Sequence, residues 1–209
     1  MHLRFLLLAL FALLPLSAVA DDIALPELFA VVGVASHDVL NIRSEPNNTA
    51  TIIGRLASDA ADIEVVAFDA KGGWAQINTA ETSGWVARRF IQRSASSWKP
   101  KQLPAHLSCY GTEPFWALRQ YRDGLILSEP DREERSLALR AVMDRGFEQD
   151  RRRGLLAEDN SERLTVVIQP ARCSDGMSDR LFALNATLIV GGHEATPRLL
   201  SGCCSIAPQ

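Results

Sequence analysis

The first half of this 209-residue chain contains no cysteine, because all four cysteines lie at or beyond position 109. The chain also lacks an excess of positive charge, since 22 Lys and Arg residues are balanced by 25 Asp and Glu residues. A nucleic-acid-binding protein driven by net charge is therefore excluded. The sequence has no glycine-rich phosphate loop and no internal repeat. Its hydrophobic fraction of 47% and charged fraction of 22% are typical of a soluble globular protein.

No apolar run reaches the roughly 20 residues that a membrane-spanning helix requires. Phe5–Leu16 is apolar but shorter, it follows the basic start Met1–Arg4, and Ala18-Val19-Ala20 has the small-x-small pattern that signal peptidases cleave. We therefore expect residues 1–20 to be a cleaved signal peptide, with no membrane span left after cleavage. The residue directly after the expected cleavage site is Asp21 and not a cysteine, so we expect no lipid anchor. The mature protein is expected in the bacterial periplasm.

The cysteines are interpreted in the light of that compartment. A zinc site of the common kind would need two Cys-x-x-Cys motifs, and the sequence lacks them. Four cysteines in an exported chain instead predict two disulfides. Adjacent residues of an extended strand point to opposite faces, so Cys203 and Cys204 are expected to bridge different elements. Cys109 and Cys173 remain as their partners, and the pairing stays open at this point.

Turn-forming residues divide the chain into two β-rich parts. The segment 94–106 has three serines, two lysines, two prolines and no periodic apolar pattern, which predicts a linker. We expect an N-terminal domain over residues 28–93 and a C-terminal β domain over residues 107–206. The fold class is therefore predicted as all-β, with a small barrel followed by a second, disulfide-stabilised barrel or meander.

Short strands at intervals of about ten residues predict a small closed or nearly closed barrel in the first part. The expected strands are Leu28–Val34, Leu40–Arg43, Ile52–Leu56, Ile63–Phe68, Trp74–Ile77 and Gly84–Val86.

Four segments of this part are familiar together: Leu40-Asn41-Ile42-Arg43-Ser44-Glu45-Pro46, Ile53-Gly54-Arg55-Leu56, Gly73-Trp74-Ala75 and Gly84-Trp85-Val86. In this order they closely resemble a bacterial SH3-like domain, over about residues 29–93. Ser58-Asp59-Ala60-Ala61 replaces the usual glycine-containing turn before the middle strand. The resemblance implies a binding module for cell-wall peptides or protein partners, and not a catalyst.

The candidate ligand-binding residues are Arg43, Trp74 and Trp85. Either the two tryptophans fill the barrel, or one indole edge forms the wall of a peptide groove. Arg43 either pairs with a ligand carboxylate or caps its turn against Glu45.

The second part is also predicted to consist of strands. Arg122-Asp123-Gly124 is a hairpin signal between two of them, and alternating apolar residues favour a strand over a helix at Leu137–Met143. We expect six to eight strands in a meander or barrel. The expected strands are Phe115–Tyr121, Leu125–Ser128, Leu137–Met143, Leu164–Ile168, Leu181–Val190 and Leu199–Cys203.

Three blocks of this part stand out: Gly111-Thr112-Glu113-Pro114-Phe115-Trp116, Cys173-Ser174-Asp175-Gly176-Met177-Ser178-Asp179 and Ser201-Gly202-Cys203-Cys204. Together they resemble a poorly characterised family of bacterial periplasmic or lipoprotein domains, over about residues 109–205. The resemblance implies the disulfides Cys173–Cys203 and Cys109–Cys204.

Two catalytic alternatives use a cysteine nucleophile. Ser201-Gly202-Cys203 with His193 upstream is similar to the block of L,D-transpeptidases, but the usual residue between Ser and Gly is missing. Cys109 followed by His193 has the order of papain-like cell-wall peptidases, but the strand pattern does not suit that fold. A catalytic thiolate must also be a free sulfur, so we expect no catalytic residue. We also expect no cofactor and no bound metal.

Two charged segments are expected to have structural roles and not to bind a ligand. Asp175 and Asp179 are expected in an Asx-type turn with Arg180 pairing to one of them, because a calcium loop would need more oxygen ligands. Residues 150–153 are expected at a solvated hairpin end.

The sequence thus predicts a non-catalytic periplasmic binding or scaffolding protein whose SH3-like module recognises a cell-wall peptide or an envelope protein. The alternatives are a cysteine-dependent cell-wall peptidase or transpeptidase, and an inhibitor or stress-response partner of an envelope protein.

Overall fold

The computed structural model describes residues 23–192 and 196–208 of the chain, in which strands joined by turns and loops, with one short 3-10 turn and no α-helix, make up the fold. The expected signal peptide lies outside these residues. No helix in the described part is long and apolar enough to cross a membrane. The strands are β1 Glu27–Val31, β2 Val39–Arg43, β3 Ile52–Ala57, β4 Ile63–Phe68, β5 Trp74–Thr79, β6 Thr82–Ala87, β7 Ile91–Arg93, β8 Ser108–Thr112, β9 Phe115–Tyr121, β10 Gly124–Ser128, β11 Arg135–Met143, β12 Arg153–Glu158, β13 Glu162–Cys173, β14 Phe182–Gly192 and β15 Arg198–Ser205.

Strands β1 to β7 form one antiparallel sheet in the order β3-β2-β6-β5-β4-β1-β7. Apolar residues on one face of this sheet pack together into a single core, which includes Phe29, Ile42, Val65, Ile77 and Val86. Phe29 lies near one edge of the sheet and Ile42 near the other, yet both belong to this core. The sheet therefore curls around its own core as a small SH3-like barrel.

Strands β8 to β15 form a closed barrel, which is one of the two architectures expected for this part. Its order is β10-β11-β12-β13-β14-β15-β8-β9, and the pairing of β8 with β15 joins the two ends of the segment. Side chains that point inward fill the barrel, among them Leu125, Leu155, Val166 and Leu188. The second part is therefore the eight-stranded form of the predicted architecture.

The segment predicted as a linker contains no helix or strand, but it is not a solvated spacer. Trp98 is buried, and its indole N–H donates to the carbonyl of Pro26 at 3.0 Å. The Trp98 ring also packs with the apolar residues of the barrel core. Buried Trp98 thus helps to fix a segment whose composition alone suggests mobility.

The prediction that residues 150–153 form a solvated hairpin end is wrong, because Asp150, Arg151 and Arg153 are buried. The Arg153 guanidinium donates to the backbone carbonyls of Lys99, Gln102, Asp150 and Arg152. Arg151 instead reaches Glu27 on β1, with 2.9 Å between Nη2 and Oε2. Partners distant in sequence make this burial possible, and local composition carries no sign of them.

The sheet and the barrel share an interface built from polar contacts. The buried carboxylate of Glu64 on β4 accepts hydrogen bonds from the Ser205 hydroxyl and the Ile206 N–H. The amide of Asn78 on β5 both donates to the carbonyl of Leu181 and accepts from its N–H, at 2.8 and 3.0 Å. The turn between β5 and β6 is therefore held against the segment before β14.

Candidate ligand-binding site

Arg43, Trp74 and Trp85 lie on the same outer face of the first sheet. Arg43 is directly opposite Trp85, and Trp74 lies in the strand next to Trp85. Cross-strand partners project from the same face of a sheet. The residues that alternate with them, such as Ala75 and Val86, are buried in the core on the other face.

The two tryptophans consequently do not fill the barrel, and the interpretation that they plug it is wrong. Both are half-buried on the outer face, since the alternation of β5 and β6 assigns the inward positions to Ala75, Ile77 and Val86. This leaves indole surface accessible to a ligand.

A groove of about 530 Å³ runs along this face and includes Arg43 and Trp74. Trp85 shares the face but is not part of the groove wall. The wall consists of Gly33, Val34, Ala35, Asp38, Val39, Leu40, Asn41, Arg43, Asn48, Trp74, Ala87, Arg89 and Phe90. The structure therefore brings two of the three predicted residues into one concave surface.

The charges in the groove are two guanidinium groups and one carboxylate. Arg43 donates from Nη1 to the carbonyl of Ala50 at 2.7 Å, so it holds the turn after β2 through a backbone group and not through Glu45. Arg89 is exposed, with its guanidinium carbon 4.5 Å from the centre of the Phe90 ring. Neither arginine forms an ion pair with any of the described residues. Positive charge next to an indole face suits a ligand that carries a carboxylate.

One known protein family matches the part of the chain that carries this groove. Residues 38–92 match the Bacterial SH3 domain family. The match covers about a quarter of the chain and includes β2 to β6, which carry Arg43, Trp74 and Trp85. Comparison with curated proteins and with solved structures finds no match. The family suggested by the three blocks of the second part stays a prediction.

Sequence reasoning missed four polar residues of this groove, which we call the SH3 groove: Asp38, Asn41, Asn48 and Arg89. Asn41 alternates with the buried Leu40 and Ile42 of β2, so the period-two pattern already places it on the outer face. Arg89 lies in the short 3-10 turn Arg88–Phe90 after β6, and Asn48 lies in the turn between β2 and β3. Nothing in the local sequence indicates that these two turns meet at one groove.

All four cysteines are joined in disulfides, Cys109 to Cys204 and Cys173 to Cys203. These are the pairs that the resemblance of the second part implies. Cys204 lies opposite Cys109 and faces the barrel interior, whereas Cys203 lies on the outer face and is joined to Cys173 at the end of β13. Two disulfides are typical of proteins outside the reducing cytosol. His193, the histidine of both catalytic alternatives, lies outside the described residues.

The acidic segment 175–179 is an Asx turn. Asp175 accepts from the N–H groups of Met177 and Ser178 and from the Ser178 hydroxyl. Partial burial acts to raise the pKa of Asp175, but these hydrogen bonds outweigh it and lower the pKa. The expected ion pair with Arg180 is not formed in the described part of the chain, where no cluster of three or more potential metal ligands occurs either.

Proposed function

We propose that this protein is a non-catalytic binding protein of the bacterial periplasm, and that its SH3 domain holds a carboxylate-bearing cell-wall peptide in the groove of Arg43, Trp74 and Arg89. The observation that supports this most directly is the pairing of two unneutralised guanidinium groups with an accessible indole in one groove. Peptides of the cell wall carry carboxylates, which guanidinium groups bind through charge-assisted hydrogen bonds. Trp74 would supply apolar contact next to them.

The groove is tested by co-sedimentation with purified peptidoglycan and by titration with a soluble stem peptide. We expect Trp74→Ala and Arg89→Gln each to weaken binding on the order of tenfold, because each removes one direct contact. Arg89→Gln is preferred to a change at Arg43, since Arg43 also holds the carbonyl of Ala50.

Two exposed residues of the barrel serve as matched controls, Phe147→Ala for the aromatic and Arg172→Gln for the cation. They should bind as the unaltered protein does. A protein that stays wholly in the supernatant would exclude the wall-peptide form of the proposal, leaving recognition of an envelope protein to be tested by affinity capture.

The non-catalytic part of the proposal rests on the cysteines. The peptidase and transpeptidase alternatives need a free thiolate at Cys109 or Cys203, and both sulfurs are in disulfides. We expect alkylation of the unreduced mature protein, followed by mass spectrometry, to label no cysteine. After reduction, all four should be labelled. Labelling of one cysteine before reduction would reopen the search for a nucleophile.

A further inference from the structure

A second concave surface, the barrel cleft, lies on the outer face of the barrel where it meets the SH3 domain. It consists of two adjoining hollows of about 810 and 560 Å³, which share Tyr110, Gly111, Thr112, Phe115, Asp175 and Met177. The Cys173–Cys203 disulfide and a hydrogen bond of 2.8 Å from the Thr112 hydroxyl to the carbonyl of Asp175 hold the segment 173–178 over β8. The cleft is therefore formed by a fixed segment and not by a free loop.

The turn between β5 and β6 brings Glu81 to one end of the cleft. The carbonyl of Glu81 accepts the N–H of Asp179 at 2.9 Å, and Thr82 forms a bridge with Asp179. The cleft thus combines residues of the SH3 domain with residues of the barrel. Such junctions between two folded units are common places for ligand sites.

The charges of the barrel cleft have the opposite sign to those of the SH3 groove. Its walls carry the carboxylates of Glu81, Glu113, Glu129 and Asp175, and no lysine or arginine among the described residues. Glu129 is neutralised by Arg198, with 2.6 Å between Oε1 and Nη1. Glu81 and Glu113 are exposed, and neither forms an ion pair with a residue in the described part.

Apolar surface and an unused acceptor complete the cleft. The side chain of Phe115 is 53% exposed and that of Met177 is 70% exposed, although both border a concave surface. Asn185 Oδ1 lies in the wall, buried and without a hydrogen-bond partner among the described residues. A ligand with positive charge would pair with the two carboxylates, and an apolar side chain would cover Phe115 and Met177.

We propose that the barrel cleft is a docking site for a basic, amphipathic segment of a protein partner. Arginine or lysine side chains of that segment would pair with Glu81 and Glu113, and its apolar side chains would pack on Phe115 and Met177. This site is separate from the SH3 groove, so the two proposals stand or fall independently.

The experiment measures binding of a synthetic peptide of alternating arginine and leucine residues to the full-length mature protein by fluorescence anisotropy. We expect the double variant E81Q/E113Q to raise the Kd on the order of tenfold, because both charge pairs are lost while the shape is kept. Phe115→Ala should raise it by a similar factor. Since Phe115 is exposed, this variant is expected to melt at the temperature of the unaltered protein.

The matched control is E133Q/E148Q, which removes two exposed carboxylates of the barrel outside the cleft. It should bind the peptide with unchanged affinity, and a peptide of alternating glutamate and leucine should not bind the unaltered protein. An equal loss of affinity in both double variants would overturn the proposal, because binding would then follow net charge alone. Binding of a neutral chito-oligosaccharide that competes with the peptide and survives E81Q/E113Q would overturn it in favour of a sugar site.

Discussion

At the scale of single residues, Glu64 is a buried acidic group whose surroundings change its affinity for a proton. It is buried at the interface of the SH3 domain and the barrel, and burial raises its pKa to about 7 despite hydrogen bonds from Ser205 and Ile206. The Ser205 hydroxyl and the Ile206 N–H both donate to the carboxyl group, at 2.5 and 3.2 Å. The proton that Glu64 binds is therefore held more tightly in the folded protein than in the unfolded chain.

This raised pKa predicts a loss of stability with rising pH. Glu64 is protonated in both states below about pH 4.5 and ionised in both above about pH 7, so its contribution to folding is fully present at the lower value and lost at the higher one. The full difference corresponds to about 3 kcal/mol in the free energy of unfolding. Urea unfolding at pH 4.5, 6 and 8 measures it.

Glu64→Gln provides the control, because glutamine keeps the shape and does not titrate. Relative to this variant, the unaltered protein should become progressively less stable between pH 4.5 and 7. An unchanged difference in stability across this range would contradict the interpretation of Glu64.

At the scale of elements, strand β1 of the SH3 domain is tied to the segment just before β12 by the ion pair of Glu27 and Arg151. Both side chains are almost fully buried, and Glu27 also accepts from the N–H of Ser97 and the hydroxyl of Ser96. Removing one partner of a buried pair leaves a charge without compensation, which is far more costly than removing one at the surface.

We therefore expect Arg151→Met to lower the free energy of unfolding by about 3 kcal/mol. The surface pair of Arg140 and Glu158 provides a matched control, and Arg140→Met should lower it by less than about 1 kcal/mol. Urea denaturation measures both. The double variant E27Q/R151M should recover part of the loss, and equal losses for Arg151→Met and Arg140→Met would refute the role of the buried pair.

Apolar segments bounded by turn-forming residues predicted most strands, including β4 and β9 with the observed bounds. Alternation of apolar and polar residues contributed where one face is buried, as in β2, whereas β4 buries four consecutive residues. Strand β12 was missed for two reasons. Its first residue, Arg153, ends a run of charged residues, and Leu156 is an exposed apolar residue between the buried Leu155 and Ala157, so the sequence shows no alternation of apolar and polar residues. Strands β7 and β8 border the segment predicted as a linker, where polar composition outweighs a short apolar signal.

The two concave surfaces differ in how far the sequence predicts them. Arg43 and Trp74 belong to short segments that resemble known SH3-like domains, so sequence alone indicates them. The barrel cleft combines Glu81, Phe115 and Met177, which come from three distant parts of the chain. The Cys173–Cys203 disulfide, the hydrogen bond from Thr112 to Asp175 and the contact between the SH3 domain and the barrel bring them together. Local sequence carries no sign of these long-range contacts.

At the scale of the whole molecule, one chain presents two concave surfaces of opposite charge. The SH3 groove has two guanidinium groups without ion-pair partners in the described part of the chain, and the barrel cleft has two such carboxylates. A near-neutral total, with a formal net charge of −3, thus hides a strong local separation of charge. Opposite potentials favour different partners at the two surfaces and disfavour exchange between them.

The pairing of β8 with β15 also decides what a shortened chain can form. The barrel closes only when the last strand is present, because β8 and β14 each pair with β15 along one edge. A chain that ends before β15 leaves both of these edges without a partner, and unpaired edges promote aggregation. Association of shortened chains with one another is therefore the expected consequence of losing the last strand.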